Sequence, residues 1–250
     1  MDTNFGKQLK KGNPLIGTFL TLTSPEVAEI LAGVGLDWVL VDMEHAPYSI
    51  QDVQRILQAV HGQCPCIVRV PQGNEEWIKR ILDTGADGLL LPHVNSAEQA
   101  KKIVRYCKYP PDGIRSVGLS RAQKYGLGFR EYVQRANEDI AIIIQVEDVE
   151  AVNNIEAIIA VQGVDAVLVG PYDLSGSMGK LGQVKDPEVQ SEIEKVRQAC
   201  RKTDMPLGIF GVDVDAVKPY IEQGFTMIAL GTDTQMFIAS AREMLQKVRG

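Results

Sequence analysis

Gly163-Val164-Asp165-Ala166-Val167-Leu168-Val169-Gly170, GVDAVLVG in one-letter code, is the stretch on which the fold of this chain turns. A glycine ends a helix, an acidic residue follows two positions later, and the unbroken apolar run after it reads as a strand buried on both faces. The design recurs as GLDWVLVD from Gly35, GADGLLLP from Gly85 and, with Thr in place of Asp, GFTMIALG from Gly224. Further apolar runs fall between the copies, so strands are predicted over residues 15–20, 37–42, 66–70, 88–92, 140–147, 166–170, 207–210 and 227–231. Helical patterns separate them near 25–33, 50–61, 75–84, 97–107, 149–161, 187–203, 214–223 and 235–248. Alternating strands and helices build parallel sheets. Eight such units predict an α/β chain forming one (β/α)8 TIM barrel over residues 1–250, with the four glycine copies marking its even strands. An open doubly wound sheet is the alternative, because alternation does not by itself show closure.

The composition suits one large core, with 45% hydrophobic residues in a chain of 250. The longest apolar runs fall well short of the roughly 18 residues that cross a bilayer, and the start MDTNFGKQLKKGNP has no apolar signal region. A soluble, cytoplasmic protein is therefore expected. The net charge of −6 is spread without Lys/Arg runs, which leaves no electrostatic footprint for nucleic acid. Cys64, Cys66, Cys107 and Cys200 lack paired C-x-x-C spacing and read as reduced thiols.

In a (β/α)8 barrel the active site lies at the C-terminal ends of the strands, so polar residues there are the candidates. Strand two ends in Asp42-Met43-Glu44-His45, strand three carries Arg69, strand five ends in Gln145-Val146-Glu147, and Gly170-Pro171-Tyr172-Asp173 follows strand six. Gln145 and Glu147, two apart, share a face that points into the barrel mouth. Asp173 beyond the neighbouring strand supplies a second hard oxygen for Mg²⁺ or Mn²⁺; a structural salt bridge is the competing account of Glu147. Arg69, a lone cation in an apolar strand, needs an anionic partner, which is Glu44, Glu147 or a substrate oxyanion. His45 beside Asp42 and Glu44 suits a general base, although a lone histidine is more often structural. His93 sits just past strand four without an acidic neighbour in sequence, and His61 ends a helix. Gly231-Thr232 opens the last helix, where capping by Thr232 or Asp233 is the plainer reading than phosphate binding. Residues 110–128 and 171–186 form connections longer than ordinary barrel loops, and long loops often carry function.

The strings LVDMEHAP, VRVP, IIIQVE and LVGPYDLSGSMG, in this order on successive strands, resemble the class II pyruvate aldolases of the HpcH/HpaI family. That family includes 4-hydroxy-2-oxoheptanedioate aldolases and 2-keto-3-deoxy sugar-acid aldolases. The resemblance covers nearly the whole chain. It implies a divalent metal (Mg²⁺, Mn²⁺ or Co²⁺) on Glu147 and Asp173, Arg69 facing the developing oxyanion, and His45 as base assisted by Asp42 and Asp83. It also implies substrate contacts from Gln145, from the backbone around Pro171 and Tyr172, and from the segment holding Arg115 and Ser120, which closes over the aldehyde side. Phe19 occupies a place often held by tryptophan, and Leu119-Ser120-Arg121 departs from the usual small-residue run, which leaves the aldehyde open. The family also tends towards hexamers built from dimers that exchange the last helix, here QMFIASAREMLQKV with a broad apolar surface.

The implied reaction is cleavage or formation of the C3–C4 bond of a 4-hydroxy-2-keto acid, giving pyruvate and an aldehyde. A Schiff-base aldolase would need a desolvated lysine at a strand end. None of the eight predicted strands ends in one, since Lys124 and Lys180 lie in polar loops. Decarboxylation or coenzyme A ester lysis through the same enolate is the nearest enzymatic alternative, and a non-catalytic metabolite-binding barrel the alternative of another class. The expected partners are thus small molecules and further copies of the chain.

Overall fold

Each acid of the glycine–acid repeat stitches its strand to the one before it. Asp37 Oδ2 accepts from Ile16 N at 2.7 Å, Asp87 Oδ2 from Cys66 N at 2.8 Å and Asp165 Oδ2 from Ile142 N at 3.0 Å. The amide of each acid in turn donates to the carbonyl of the same partner, at 2.8, 3.0 and 2.9 Å. The fourth copy keeps only the backbone half: Thr226 N reaches Leu207 O at 2.8 Å, while the buried Thr226 hydroxyl is unpartnered. The repeat is thus a set of clasps at the N-terminal ends of the even strands.

A computed structural model describes residues 4–250. Its strands are β1 (Leu15–Leu20), β2 (Trp38–Asp42), β3 (Cys66–Arg69), β4 (Gly88–Leu91), β5 (Ala141–Val146), β6 (Ala166–Val169), β7 (Leu207–Gly211) and β8 (Met227–Thr232). All are parallel, and β1 pairs with both β2 and β8, which closes the barrel and removes the open-sheet alternative. The predicted strands are all present, with ends that differ by at most one residue.

The surrounding helices are α2 (Pro25–Gly33), α3 (Ile50–Ala59), α4 (Glu75–Asp83), α5 (Ala97–Cys107), α6 (Phe129–Asp139), α7 (Val149–Asn153), α8 (Ile155–Ile159), α10 (Pro187–Lys202), α11 (Val214–Glu222) and α12 (Asp233–Arg249). Most begin at a side-chain cap, among them Ser24, Ser49, Asn74, Ser96 and Thr232, which satisfies an amide the first turn leaves free. The single helix predicted over 149–161 is two, broken at Asn154, whose side-chain amide donates to Asn95 O at 2.8 Å. Two short helices escape the sequence pattern: α9 (Pro171–Ser177), inside the connection read as a loop, and α1 (Phe5–Leu9).

Helix α1 is the floor of the barrel. Phe5 and Leu9 are buried in the interior cluster with Trp38, Leu40, Ile67, Leu90, Ile143, Leu168 and Met227. Each such side chain contributes about 1.5–3 kcal/mol. Trp38 fits because Gly17 faces it across β1 and β2: a Cβ on Gly17 would stand 2.2 Å from the indole. The alternate strand residues point outward into a second cluster under the helices. The cysteines are free, and burial pushes the thiols of Cys64 up to about 11 and of Cys107 and Cys200 up to about 12, so these are inert apolar fillers. No helix among the described residues is long and apolar enough to cross a membrane.

The Asp87 clasp has a pH signature. Burial pushes its carboxyl up to about 6, against the opposing pull of the Cys66 amide, His61 and Arg121. A folded pKa above the unfolded value of about 4 means that the contribution is complete below pH 4 and is lost as pH rises through 6. Asp87→Asn keeps an acceptor for Cys66 N and cannot ionise. It is expected to match the parent at pH 4 and exceed it by about 1–3 kcal/mol at pH 8, measured by urea unfolding; identical pH dependence in both proteins would refute the assignment.

Candidate active site

Strand parity builds the site. Trp38 and Leu40 face the barrel interior while Val39 and Val41 face the helices, so Asp42 at the end of β2 faces inward. By the same alternation Arg69 follows Ile67, Gln145 and Glu147 follow Ile143, and Gly170 follows Leu168. Asp42 and Arg69 are register partners. The inward ends of neighbouring strands therefore meet at the C-terminal mouth.

Asp42 grips Arg69 with both oxygens, Oδ1 to Nε at 2.9 Å and Oδ2 to Nη2 at 2.8 Å. The remaining nitrogen, Nη1, stands 3.1 Å from Glu44 Oε2 and 3.4 Å from Gln145 Oε1. Asp42, Arg69, Gln145 and Glu147 are all buried. The guanidinium also lies over the Phe19 ring, 5.1 Å from its centroid. Phe19 continues into an aromatic wall through Phe210 at 5.2 Å, which meets Tyr172 at 6.2 Å. Phe210 went unnoticed in the sequence, although its place at the inward end of β7 was legible. Gln145 Nε2 donates to Glu147 Oε2.

The two histidines at the mouth behave differently from expectation. Asp42 does not touch the His45 ring; Oδ1 accepts the backbone amides of Glu44 at 3.1 Å and His45 at 3.3 Å. The His45 side chain is 64% exposed, with Nε2 3.9 Å from Glu44. His93, which had no acidic neighbour in sequence, has two in space: Nε2 is 3.0 Å from Glu44 Oε1 and Nδ1 3.2 Å from Glu147 Oε1. Glu44 and His93 are the site residues that sequence reasoning underweighted, because only barrel closure brings β2, β4 and β5 to one mouth. Thr232 caps α12, as read, whereas Asp233 clamps the end of β1 by accepting from Thr21 N and Leu22 N. A buried carboxylate at this helix start opposes a phosphate there.

Three sequence candidates lie at the other end of the barrel. Helices run antiparallel to the strands, so the C-terminal residue of α4, Asp83, is beneath the mouth, not at it. Its Oδ1 pairs with Arg115 Nη2 at 2.9 Å. Arg115 is fully buried, with its guanidinium 4.6 Å from the Tyr109 ring centroid and 5.7 Å from that of Tyr132. Ser120 caps a kinked 3₁₀ segment, Arg121–Gly126, and the neighbouring Arg121 ties to Thr84 O and Leu57 O at the same ends of α4 and α3. The expectation that this segment closes over the mouth is corrected for its own chain: the connection between α5 and β5 has to pass the N-terminal ends of the strands.

Three carboxylates, Asp42, Glu44 and Glu147, stand against one guanidinium. Burial raises the Glu44 carboxyl above its ordinary range, Arg69 pulls it back, and Glu147 adds to the rise. Glu44 Oε2 is buried without a hydrogen bond. A cation suits this excess of negative charge. The space beside Glu147 exists because residue 170 is glycine: a Cβ there would lie 3.2 Å from Glu147 Cβ and 3.6 Å from Oε2. Asp173 is exposed in the first turn of α9, which follows Gly170 directly. Among the described residues no three His, Cys, Asp or Glu side chains form a ready-made cage. One or two carboxylates with open positions is what Mg²⁺-type ions use beside a chelating ligand.

The sequence profile of the HpcH/HpaI aldolase/citrate lyase family matches residues 15–240. The chain is 41% identical over 250 residues to a hydroxypyruvate/pyruvate aldolase of Paraburkholderia phytofirmans, covering 97% of this chain and 96% of that one. It is 41% identical over 249 residues to a 4-hydroxy-2-oxo-heptane-1,7-dioate aldolase of Escherichia coli, covering 98% and 94%. An HpcH/HpaI aldolase/citrate lyase family protein of Burkholderia cenocepacia superposes with a TM-score of 0.96 at 36% identity, over 99% of this chain and 100% of that one.

The buried Asp42–Arg69 pair carries its own test. Asp42→Ala strands a buried guanidinium and is expected to cost about 3 kcal/mol or more, read by urea unfolding. Adding Arg69→Met removes the stranded charge and is expected to restore much of that loss. A double variant no more stable than the single one would show that Asp42 acts otherwise.

Proposed function

Because the chain belongs to the HpcH/HpaI aldolase/citrate lyase family, we propose that it is a pyruvate aldolase acting on the C3–C4 bond of 4-hydroxy-2-keto acids. The observation that carries this reading is the mouth itself, where a buried arginine gripped by one carboxylate turns its free edge towards a second carboxylate, a glutamine and open space. The relatives it matches over more than nine-tenths of their length carry the names of aldolases, which does not favour decarboxylation or coenzyme A ester lysis.

Glu147 and Asp173 are the proposed ligands of a divalent metal, Mg²⁺, Mn²⁺ or Co²⁺. Once bound, such an ion supplies Lewis-acid polarisation of the keto oxygen. Gln145 and the free amides at the start of α9, beyond Pro171 and at Tyr172, orient the carboxylate and keto group of the substrate. Arg69 faces the C2 oxygen, where charge grows as the bond breaks, so its help is larger in the transition state than before it. Asp42 holds that guanidinium in plane and fixes the main chain at Glu44 and His45. His45 takes the proton of the C4 hydroxyl; the C3–C4 electron pair moves onto C3 and the C2 oxygen, and an aldehyde leaves. Protonation at C3 then gives pyruvate. The wall of Phe19, Phe210 and Tyr172 keeps water from that carbon.

Asp83, Arg115 and Ser120 reach a mouth only as parts of a neighbouring copy. An assembly is supported by apolar side chains left exposed on both candidate contact elements. They are Val117, Leu119 and Leu127 on the segment after α5, and Phe237, Ile238, Met244, Leu245 and Val248 on α12. From Ser240 onward α12 has no buried residue, as suits a helix exchanged between subunits of a hexamer.

EDTA is expected to abolish cleavage and Mg²⁺, Mn²⁺ or Co²⁺ to restore it, with Glu147→Gln and Asp173→Asn both weakening metal binding. Full activity in metal-free enzyme, or trapping of pyruvate by borohydride, would sink the metal-dependent assignment. His45→Ala should keep its metal affinity and lose about 10²–10⁴ in turnover, measured by pyruvate release. Loss of the metal with the imidazole would make His45 a ligand instead of a base.

A further inference from the structure

His93 is the one non-glycine residue at the mouth with a left-handed backbone, at φ +58°. A side chain with a Cβ adopts this region at a cost, and persists there when surrounding contacts hold it. Here the contacts are visible. The left-handed turn aims His93 N–H at Glu147 Oε1, 2.7 Å away, and the ring then lies between Glu44 and Glu147 with one nitrogen near each. The ring is 70% exposed and fills no core, so packing does not explain its position, and an exposed ion pair alone would not hold it. The backbone bond does.

We propose that His93 is a positioning residue, a strap across the mouth that fixes the Glu147 carboxylate and keeps Glu44 against Arg69. Two donors from different strands then define the Glu147 carboxylate: His93 N–H on Oε1, and Gln145 Nε2 on Oε2. The ring adds Nδ1 beside the same Oε1, at 3.2 Å, and this second hold from His93 keeps the carboxylate from swinging away from the open side left by Gly170. The imidazole extends the same hold to Glu44, whose Oε1 it meets at 3.0 Å while Oε2 stays 3.1 Å from Arg69 Nη1. One side chain thus couples the proposed metal ligand to the arginine through a second carboxylate, a link between β2, β3, β4 and β5. The inference rests on the reading of Glu147 as a ligand.

The test separates backbone from ring. His93→Gly accepts the left-handed turn and keeps the amide but removes the imidazole; His93→Asn also tolerates the turn and reaches one carboxylate instead of two. Calorimetric titration with Mn²⁺ alone is expected to show affinity weakened about 10–100-fold in His93→Gly and by less in His93→Asn, the range for partners that orient a ligand. The thermal midpoint of both should stay at that of the parent, and kcat should fall more than KM rises. A lowered midpoint in His93→Gly with Mn²⁺ affinity within twofold of the parent would reduce His93 to a structural residue and overturn the proposal. If Glu147→Gln loses Mn²⁺ while His93→Gly binds it normally, the strap is wrong and the metal site stands. If neither variant loses Mn²⁺, the metal site itself is misplaced and the strap falls with it.

Discussion

The buried pair between Asp42 and Arg69 is the constraint on which the mouth of this barrel depends. A guanidinium held inside a ring of apolar strands is unstable there without a fixed counter-charge. Asp42 supplies it in a geometry that only register-matched neighbours on β2 and β3 allow, with two parallel hydrogen bonds and both groups buried. Because Nε and Nη2 are consumed on that side, Nη1 is the edge turned to Glu44, Gln145 and the open mouth. The arginine is therefore oriented before any ligand arrives, which is the condition under which a charged donor helps a transition state without reorganising.

One cation does not balance three carboxylates. Glu44 carries the strain of that imbalance: it is half-buried, its buried Oε2 lacks a hydrogen bond, and its proton affinity is raised by desolvation and by Glu147 against the pull of Arg69. The rest of the mouth reads as a response to this charge. His93 is bent into a left-handed turn to face two of the acids, Gln145 holds the outer oxygen of Glu147, and Gly170 keeps the neighbouring space clear. A site for a divalent ion and a chelating keto acid uses the negative charge that a purely structural core would have avoided.

The other end of the barrel is built on a different economy. Clasps at Asp37, Asp87 and Asp165 join odd to even strands, α1 seals the interior beneath Trp38, and the segment after α5 wraps under α3 and α4 through Arg121. Arg115 is buried here as thoroughly as Arg69 is above, but its partners are Asp83 and two tyrosine rings. The floor thus provides stability, while the mouth carries the uncompensated charge.

The fold was legible because apolar runs that alternate with amphipathic helices have few ways to bury both faces of eight strands, and because parity along a strand is a local property. Gln145, Glu147, Arg69 and Asp42 could be assigned to the mouth on that basis alone. Helices α1 and α9 were not legible, since a segment of five or seven residues has too little periodicity to stand out; it is the barrel floor that makes Phe5 and Leu9 helical. The pairing of side chains was equally out of reach. Asp42 lies three residues from His45 in sequence yet binds Arg69, 27 residues away, while His93 finds its acids just after β5 and after β2. Sequence determined which residues face inward and in what order, because strand geometry is fixed one residue at a time. Only closure of the sheet decided which of them touch, because contact across a barrel depends on the stagger of all eight strands together.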